Sequence, residues 1–112
     1  MGLSNKLIPN IYIWRIRMSA YVIADITVND LERYEDYKKL APPAIAAYGG
    51  KYVARGGKAE KLEGNWEPGR LIILEFESVE KAKQFIDSPE YREARALRHK
   101  TATSKMILVE GL

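Results

Sequence analysis

A chain of 112 residues, 46% hydrophobic and 29% charged, can build one compact core and is too short for two. It has no cysteine, which excludes a disulfide framework, thiolate metal ligands and thiol catalysis and fits the reducing cytoplasm. A single histidine, His99, is too few for an all-protein zinc site or a haem held by two histidines, so neither is expected, and the chemistry expected of this chain uses no metal or organic cofactor.

The net charge of +3 sits at one end of the chain. Lys6, Arg15 and Arg17 precede Met18 with no acidic residue among them; removing those three from the 18 basic residues leaves 15, equal to the 15 acidic ones. A neutral domain lacks the excess on which general attraction to phosphate backbones depends, so nucleic acid is not an expected partner. Residues 1–17 contain no apolar run of signal-peptide or membrane-span length, and Pro9 and Asn10 interrupt what there is; no membrane association is expected. The start matches a myristoylation signal only at Gly2, because Lys6 stands where Ser or Thr is needed. The simpler reading makes residues 1–17 an extension, non-native or disordered, before a domain spanning 18–112. The alternative is an added edge strand or dimer arm built from Ile11, Tyr12, Ile13 and Trp14.

From Ala20 to Val28 the sequence alternates Ala20, Val22, Ala24, Ile26 and Val28 with Tyr21, Ile23, Asp25 and Thr27, the period of a strand. The first face is small and apolar and suits helices lying on it; Asp25 on the second needs a partner if covered. Asn29, with Glu32 three residues on, reads as a capping box that opens a helix. Its apolar stripe passes through Leu31, Tyr34, Tyr37, Leu40, Ala44 and Tyr48. Pro42-Pro43 inside that stripe predicts a kink or short break, and Gly49 is the candidate left-handed residue at its end. Lys51 to Arg55 and Leu71 to Phe76 read as strands, joined through Gly56-Gly57 by a long loop carrying Trp66 and Pro68. Ser78 caps a short helix; Ser88-Pro89-Glu90 then starts another, with its cap, its first-position proline and an acid in the first turn. Ser104 to Glu110 is the last strand, closed by Gly111.

Two β-α-β halves in this order predict an α+β domain of βαββαβ type, a ferredoxin-like antiparallel sheet with its helices on one face. The helix-free face mixes apolar and aromatic residues with a few charges. Pairing with a second copy would cover it, so a homodimer is expected.

Several short motifs carry a resemblance. They are Tyr34-x-x-Tyr37, Gly49-Gly50-Lys51-Tyr52, Arg55-Gly56-Gly57, Leu62-Glu63-Gly64, Arg70, Glu75-Phe76, Ser88-Pro89-Glu90-Tyr91, Arg98 and Val109-Glu110-Gly111. In this order and spacing the chain from Ser19 to Leu112 resembles the bacterial "domain of unknown function 1330" family. The resemblance implies a dimeric α/β barrel, in which two ferredoxin-like sheets pack face to face with the helices outside. Relatives in that superfamily include cofactor-free quinol monooxygenases, muconolactone isomerases, polyketide cyclases and, with large elaborations, haem enzymes. The family itself has no settled activity, so the resemblance implies fold and dimerisation more than reaction.

The candidate chemistry centres on Arg55, Glu63 and Arg70, with Asp25 and Glu75 on neighbouring strands. If Asp25 and Glu75 share the helix-free face, Arg55 could serve one of them. An arginine fork beside carboxylates in a partly apolar hollow suits a carboxylate or enolate ligand. The same charges also read as a structural ion-pair network. His99 is a candidate general base, with Arg98 beside it, although a histidine near a helix C-terminus is favoured by the dipole alone. Tyr37 and Trp66 are candidate pocket walls because each carries a polar handle; the other aromatics are expected in core or interface. The glycines of the Arg55–Gly64 stretch match no phosphate-binding pattern. The expected function is therefore to bind or transform a small apolar molecule bearing a carboxylate or carbonyl. Arg55, Arg70, Glu75 and Arg98 would sit at the ligand, Glu63 or His99 would move a proton, and Tyr37 and Trp66 would form walls. The alternative is a non-catalytic dimerising or sensing module whose charges hold an interface.

Overall fold

A computed structural model describes residues 19–112. Both readings of residues 1–17 lie outside the described residues. The strands are β1 (Ala20–Val28), β2 (Lys51–Arg55), β3 (Arg70–Phe76) and β4 (Ala102–Glu110). The helices are α1 (Leu31–Ala47), α2 (Val79–Ile86) and α3 (Pro89–Thr101). All strand pairs are antiparallel, and the sheet order is β2-β3-β1-β4. This is the expected βαββαβ plan, with the second helical segment divided at Ser88.

The alternation in β1 decides where the core lies. Ala20, Val22, Ala24 and Ile26 are all buried, and the cross-strand partners of Val22 and Ala24 are Leu74 and Leu108, and Ile72 and Met106. Onto this face pack Tyr34, Tyr37, Ala41, Ala44 and Ile45 of α1, Phe85 of α2 and Tyr91 of α3. Alanines on both sides let the helices approach closely, and the aromatic rings fill the centre: Phe85 lies 5.3 Å from Phe76 and 4.3 Å from Tyr91, centroid to centroid. The helix-free face is different. Val53, Ile107 and Val109 there are 56%, 62% and 43% exposed, an apolar surface left in water.

Two local expectations are corrected. The cap of α1 is Asp30, whose carboxylate accepts from the Arg33 N–H at 3.1 Å, and not Asn29. The Asn29 amide is drawn away to Thr103 Oγ1 at 3.2 Å, and the backbone N–H groups of Asn29 and Asp30 both donate to the Thr101 carbonyl. Tertiary bonds to the start of β4 thus move the cap along by one residue. Nor does Pro42-Pro43 break the helix, since α1 runs through both. The tyrosine pair before the prolines and Ala44-Ile45 after them pack on the same sheet face, which keeps the helix continuous. Beyond Tyr48, Gly49 adopts φ +75° and the chain closes with Gly49 N–H on Ala46 O and Gly50 N–H on Ile45 O, both at 2.9 Å. Ser78 and Ser88 cap α2 and α3 as expected, accepting from Lys81 and Tyr91 N–H. Among the described residues no helix is long and apolar enough to cross a membrane.

Removing the observed cap should cost more than removing the expected one. Asp30→Ala is expected to lower the unfolding free energy by about 1 kcal/mol in urea titrations. Asn29→Ala, which deletes one exposed bond to Thr103, should cost less.

Candidate functional site

The site begins with an irregularity in β2. Lys51 pairs with Glu75 and Tyr52 with Leu74, but Ala54 then pairs with Ile73 and Arg55 with Ile72, so Val53 is an extra residue. Strict alternation from Tyr52 would place Arg55 on the open face; the bulge returns it to the helix side. There its guanidinium lies 4.5 Å above the Tyr52 ring and donates to the Lys38 carbonyl at 3.3 Å. That carbonyl lacks its helical donor because position 42 is proline, so the arginine satisfies an acceptor that the sequence of α1 leaves free. Arg70, opposite Ile26, reaches the same side. Gly56 adopts φ +69°, and a Cβ there would collide with the Arg70 guanidinium. The turn glycine therefore also makes room for this side chain. Arg70 Nε is buried with no hydrogen-bond partner among the described residues.

Both arginines border a cavity of about 30 Å³ between sheet and helices. Tyr34, Tyr37, Tyr52 and Tyr91 wall it, and no described carboxylate lines it. Tyr37 and Tyr91 hydroxyls lie 2.7 Å apart, and Arg98, only 4% exposed, donates from Nε to Tyr91 Oη at 3.3 Å. With that oxygen accepting from Arg98, the Tyr91 hydrogen can go to Tyr37 and the Tyr37 hydrogen to a guest in the cavity. Burial pushes the Tyr37 hydroxyl far above the ordinary tyrosine range, with Tyr91 adding to the shift. Burial also raises Tyr34 and Tyr52, opposed chiefly by the positive fields of Arg70 and Arg55 respectively. All three stay neutral, as hydrogen-bonding groups and not as bases.

Of the residues singled out from the sequence, Tyr37, Arg55 and Arg70 meet at this cavity, and Arg98 reaches it through Tyr91. The others are placed elsewhere. Glu63 is exposed in the loop of residues 56–69. Glu75 is on the open face, near the Tyr21 hydroxyl at 3.4 Å and the Lys51 ammonium at 4.0 Å. Asp25 shares that face and accepts from Trp66 Nε1 at 2.9 Å and Gly69 N–H at 2.8 Å. Arg55 consequently serves neither carboxylate, because the bulge turns it away from both. Trp66 walls a shallow depression on the open face beside Ile23 and Lys105. His99 lines a separate cavity with Arg95 and Arg98; burial first, then the fields of those two arginines, holds its pKa below the ordinary histidine value. Tyr34, Tyr52 and Tyr91 were not expected in a pocket. The helical register of Tyr34, Tyr37 and of Tyr91, Arg98 shows that these face inward but not that they line a cavity, and Tyr52, on β2, lies outside that pattern. Among the described residues no cluster of three or more His, Asp or Glu side chains is placed to hold a metal ion.

The family model described as Domain of unknown function (DUF1330) matches residues 19–112, in agreement with the motif resemblance. No curated protein matches the sequence significantly. Among solved structures, a protein of unknown function from Rhodopseudomonas palustris is 21% identical with a TM-score of 0.70, the match covering 99% of this chain and 95% of that one. SnoaB, a cofactor-independent oxygenase from Streptomyces nogalater, is 11% identical with a TM-score of 0.60, covering 85% and 94%. A dimeric protein of unknown function and ferredoxin-like fold from Bacteroides fragilis is 16% identical with a TM-score of 0.55, covering 83% and 96%. At these identities the likeness establishes the ferredoxin-like fold.

The Asp25 carboxylate is held below the usual aspartate range, first by the Trp66 indole and then by the Gly69 amide. A folded pKa below the unfolded value of about 3.9 gives stability that is complete above that value and lost as pH falls through the folded one. Asp25→Asn should therefore be less stable than the parent at pH 7, with the difference vanishing near the acid end of a denaturation series followed by Trp emission.

Proposed function

The chain belongs to the DUF1330 family, and we propose that its tyrosine-walled cavity binds or transforms a small apolar molecule bearing a carboxylate or carbonyl, without a cofactor. One observation carries this reading: Arg55, Arg70 and the Tyr37 hydroxyl converge on an apolar cavity that no described carboxylate neutralises. Guanidinium groups recognise a carboxylate or enolate oxygen pair bidentately, and neutral buried hydroxyls donate to the same oxygens without competing for a proton. Glu63 and His99 stand outside the cavity, so its own groups favour negative charge developing on a guest over taking a proton from it. At about 30 Å³ the cavity has room for one or two waters, which need upwards of about 10 Å³ each. A larger guest must displace Tyr52 and the exposed Arg55 at the solvent side. The likeness to a protein described as a cofactor-independent oxygenase makes such chemistry compatible with the fold and assigns no residue here.

The apolar open face supports a second part of the reading, a homodimer formed sheet to sheet. A structural neighbour is described as dimeric, and exposed Val53, Ile107 and Val109 give this chain surface to cover. A charge among them would have to be buried unpaired at such an interface.

Arg55→Ala should leave the oligomeric state unchanged in native mass spectrometry while weakening binding of benzoate, used as a probe in calorimetry, by about tenfold or more. Dissociation or unfolding of this variant would instead favour the alternative, a module whose charges are structural. Ile107→Glu should give a monomer in sedimentation velocity, and an unaltered dimer would place the interface elsewhere.

A further inference from the structure

A second cavity, of about 350 Å³, lies between α2, α3 and β4. Its size falls in the range of small-molecule sites. Its floor is apolar, from Val22, Ile86, Met106 and Leu108, and its polar lining is Lys83, Arg95, Arg98, His99 and Ser104, with no carboxylate among the described residues. Arg95, Arg98 and His99 share one side of α3 because offsets of three and four residues return to the same helical face.

Three of these groups lack the partners that buried polar atoms ordinarily have. Arg98 is 4% exposed, yet among the described residues it makes no ion pair and one hydrogen bond, from Nε to Tyr91. Ser104 Oγ is buried with no hydrogen-bond partner among the described residues. Arg95 spends Nη1 on the Ile86 carbonyl at 3.2 Å and on Asp87 at 2.9 Å, while its Nε is buried and unsatisfied. Buried donors without acceptors call for an explanation, and a buried guanidinium without a counter-charge calls for one most. The carbonyl end of α3 disfavours an anion nearby. Two of its last carbonyls are already engaged, Leu97 O by the Thr101 hydroxyl and Arg98 O by the Ala102 N–H, which leaves the arginines to set the sign of the field.

We infer that this cavity is a binding site for an apolar carboxylate. The carboxylate is held by the Arg98 terminal nitrogens and Ser104 Oγ, with Arg95 Nε beside them, and the apolar body lies on Met106, Leu108 and Val22. The apolar floor offers nothing to the outer oxygens of a phosphate dianion, whereas it matches the hydrocarbon body of an apolar carboxylate. This site is distinct from the tyrosine-walled cavity and does not depend on the function proposed for it.

His99 is the chain's only histidine, so its imidazole signals in NMR are unambiguous, and it borders this cavity and a neighbouring depression walled by Asp87, Ser88 and Arg92. The charged groups around it are Lys83 from α2, Arg92, Arg95 and Arg98 on α3, and Asp87 from the turn between the helices. Titration with octanoate should shift the His99 signals saturably and raise its pKa, because a bound carboxylate offsets the fields of Arg95 and Arg98. Ser104→Ala should weaken octanoate about fivefold by removing one hydrogen bond. Lys83→Met should weaken it too, and Arg55→Ala should leave the response unchanged. An octanoate titration that leaves His99 unmoved would sink the site. An equal response to inorganic phosphate would overturn its assignment to an apolar carboxylate. Loss of the response in Arg55→Ala would place the octanoate in the other cavity and overturn it as well.

Discussion

One inserted residue in β2 sets what the helix side of the sheet contains. Without the bulge at Val53, Arg55 would lie on the open face, within reach of the acidic groups there. With it, Tyr52 and Arg55 both lie on the helix side, the ring beneath the exposed guanidinium. The bulge would leave Arg55 poorly anchored if α1 were an ordinary helix. Pro42 removes one backbone donor, the Lys38 carbonyl is left free, and Arg55 takes it. An irregular strand and an irregular helix thus hold one side chain between them. The long loop that follows is tied back to β1 at one carboxylate, Asp25, which accepts from both Trp66 and Gly69. That tie brings Gly69 against the Ile26 carbonyl and sets the start of β3, from which Arg70 enters the helix side.

The outcome is a sheet that sorts charge by face. Asp25 and Glu75 are outside; Arg55, Arg70 and Arg98 are on the helix side, with no described carboxylate lining either cavity there. Arginine does not escape burial by losing its proton, so this arrangement must be compensated by dipoles and rings. A carbonyl, a phenol oxygen and a π-face do part of this, and the unpartnered Nε atoms of Arg70 and Arg95 mark where they fall short. Tyrosines are suited to such surroundings. They present oxygen to the cations, and burial keeps them neutral, so they add acceptors without adding acids.

Local signals made much of this fold legible in the sequence. The period of β1, the serine caps of α2 and α3, Pro89 and the left-handed Gly49 each act within one turn or one pleat. The expectations that failed were those decided across the fold. Asn29 lost the cap to Asp30 because Thr101 and Thr103, far along the chain, bind it. The proline pair failed to break α1 because the stripe on either side is held by the sheet. The suggestion that Arg55 could serve Asp25 or Glu75 fails because a bulge, which has no signature in a five-residue strand, turns it to the helix side. The separation of Arg70 from Glu75 was readable, since an odd offset of five along one strand puts two residues on opposite faces. The tyrosine walls were visible only as an apolar stripe, because a tyrosine that lines a cavity and one that fills a core share the same helical spacing.

The two cavities are separate but share a wall. Val22, Ile86 and Met106 line both, and a chain of hydroxyls joins them: Arg98 faces the larger one and donates to Tyr91, which bonds to Tyr37 in the smaller. A negative charge at Arg98 weakens the donor that orients Tyr91, and a guest accepting from Tyr37 strengthens the same chain from its other end. Fold likeness at 21% identity or less carries none of these residues from one protein to another. This chain's bulge, its proline and its turn glycine bring a set of arginines to the helix side, and any account of its chemistry has to start from why those cations are there with no described carboxylate lining the cavities.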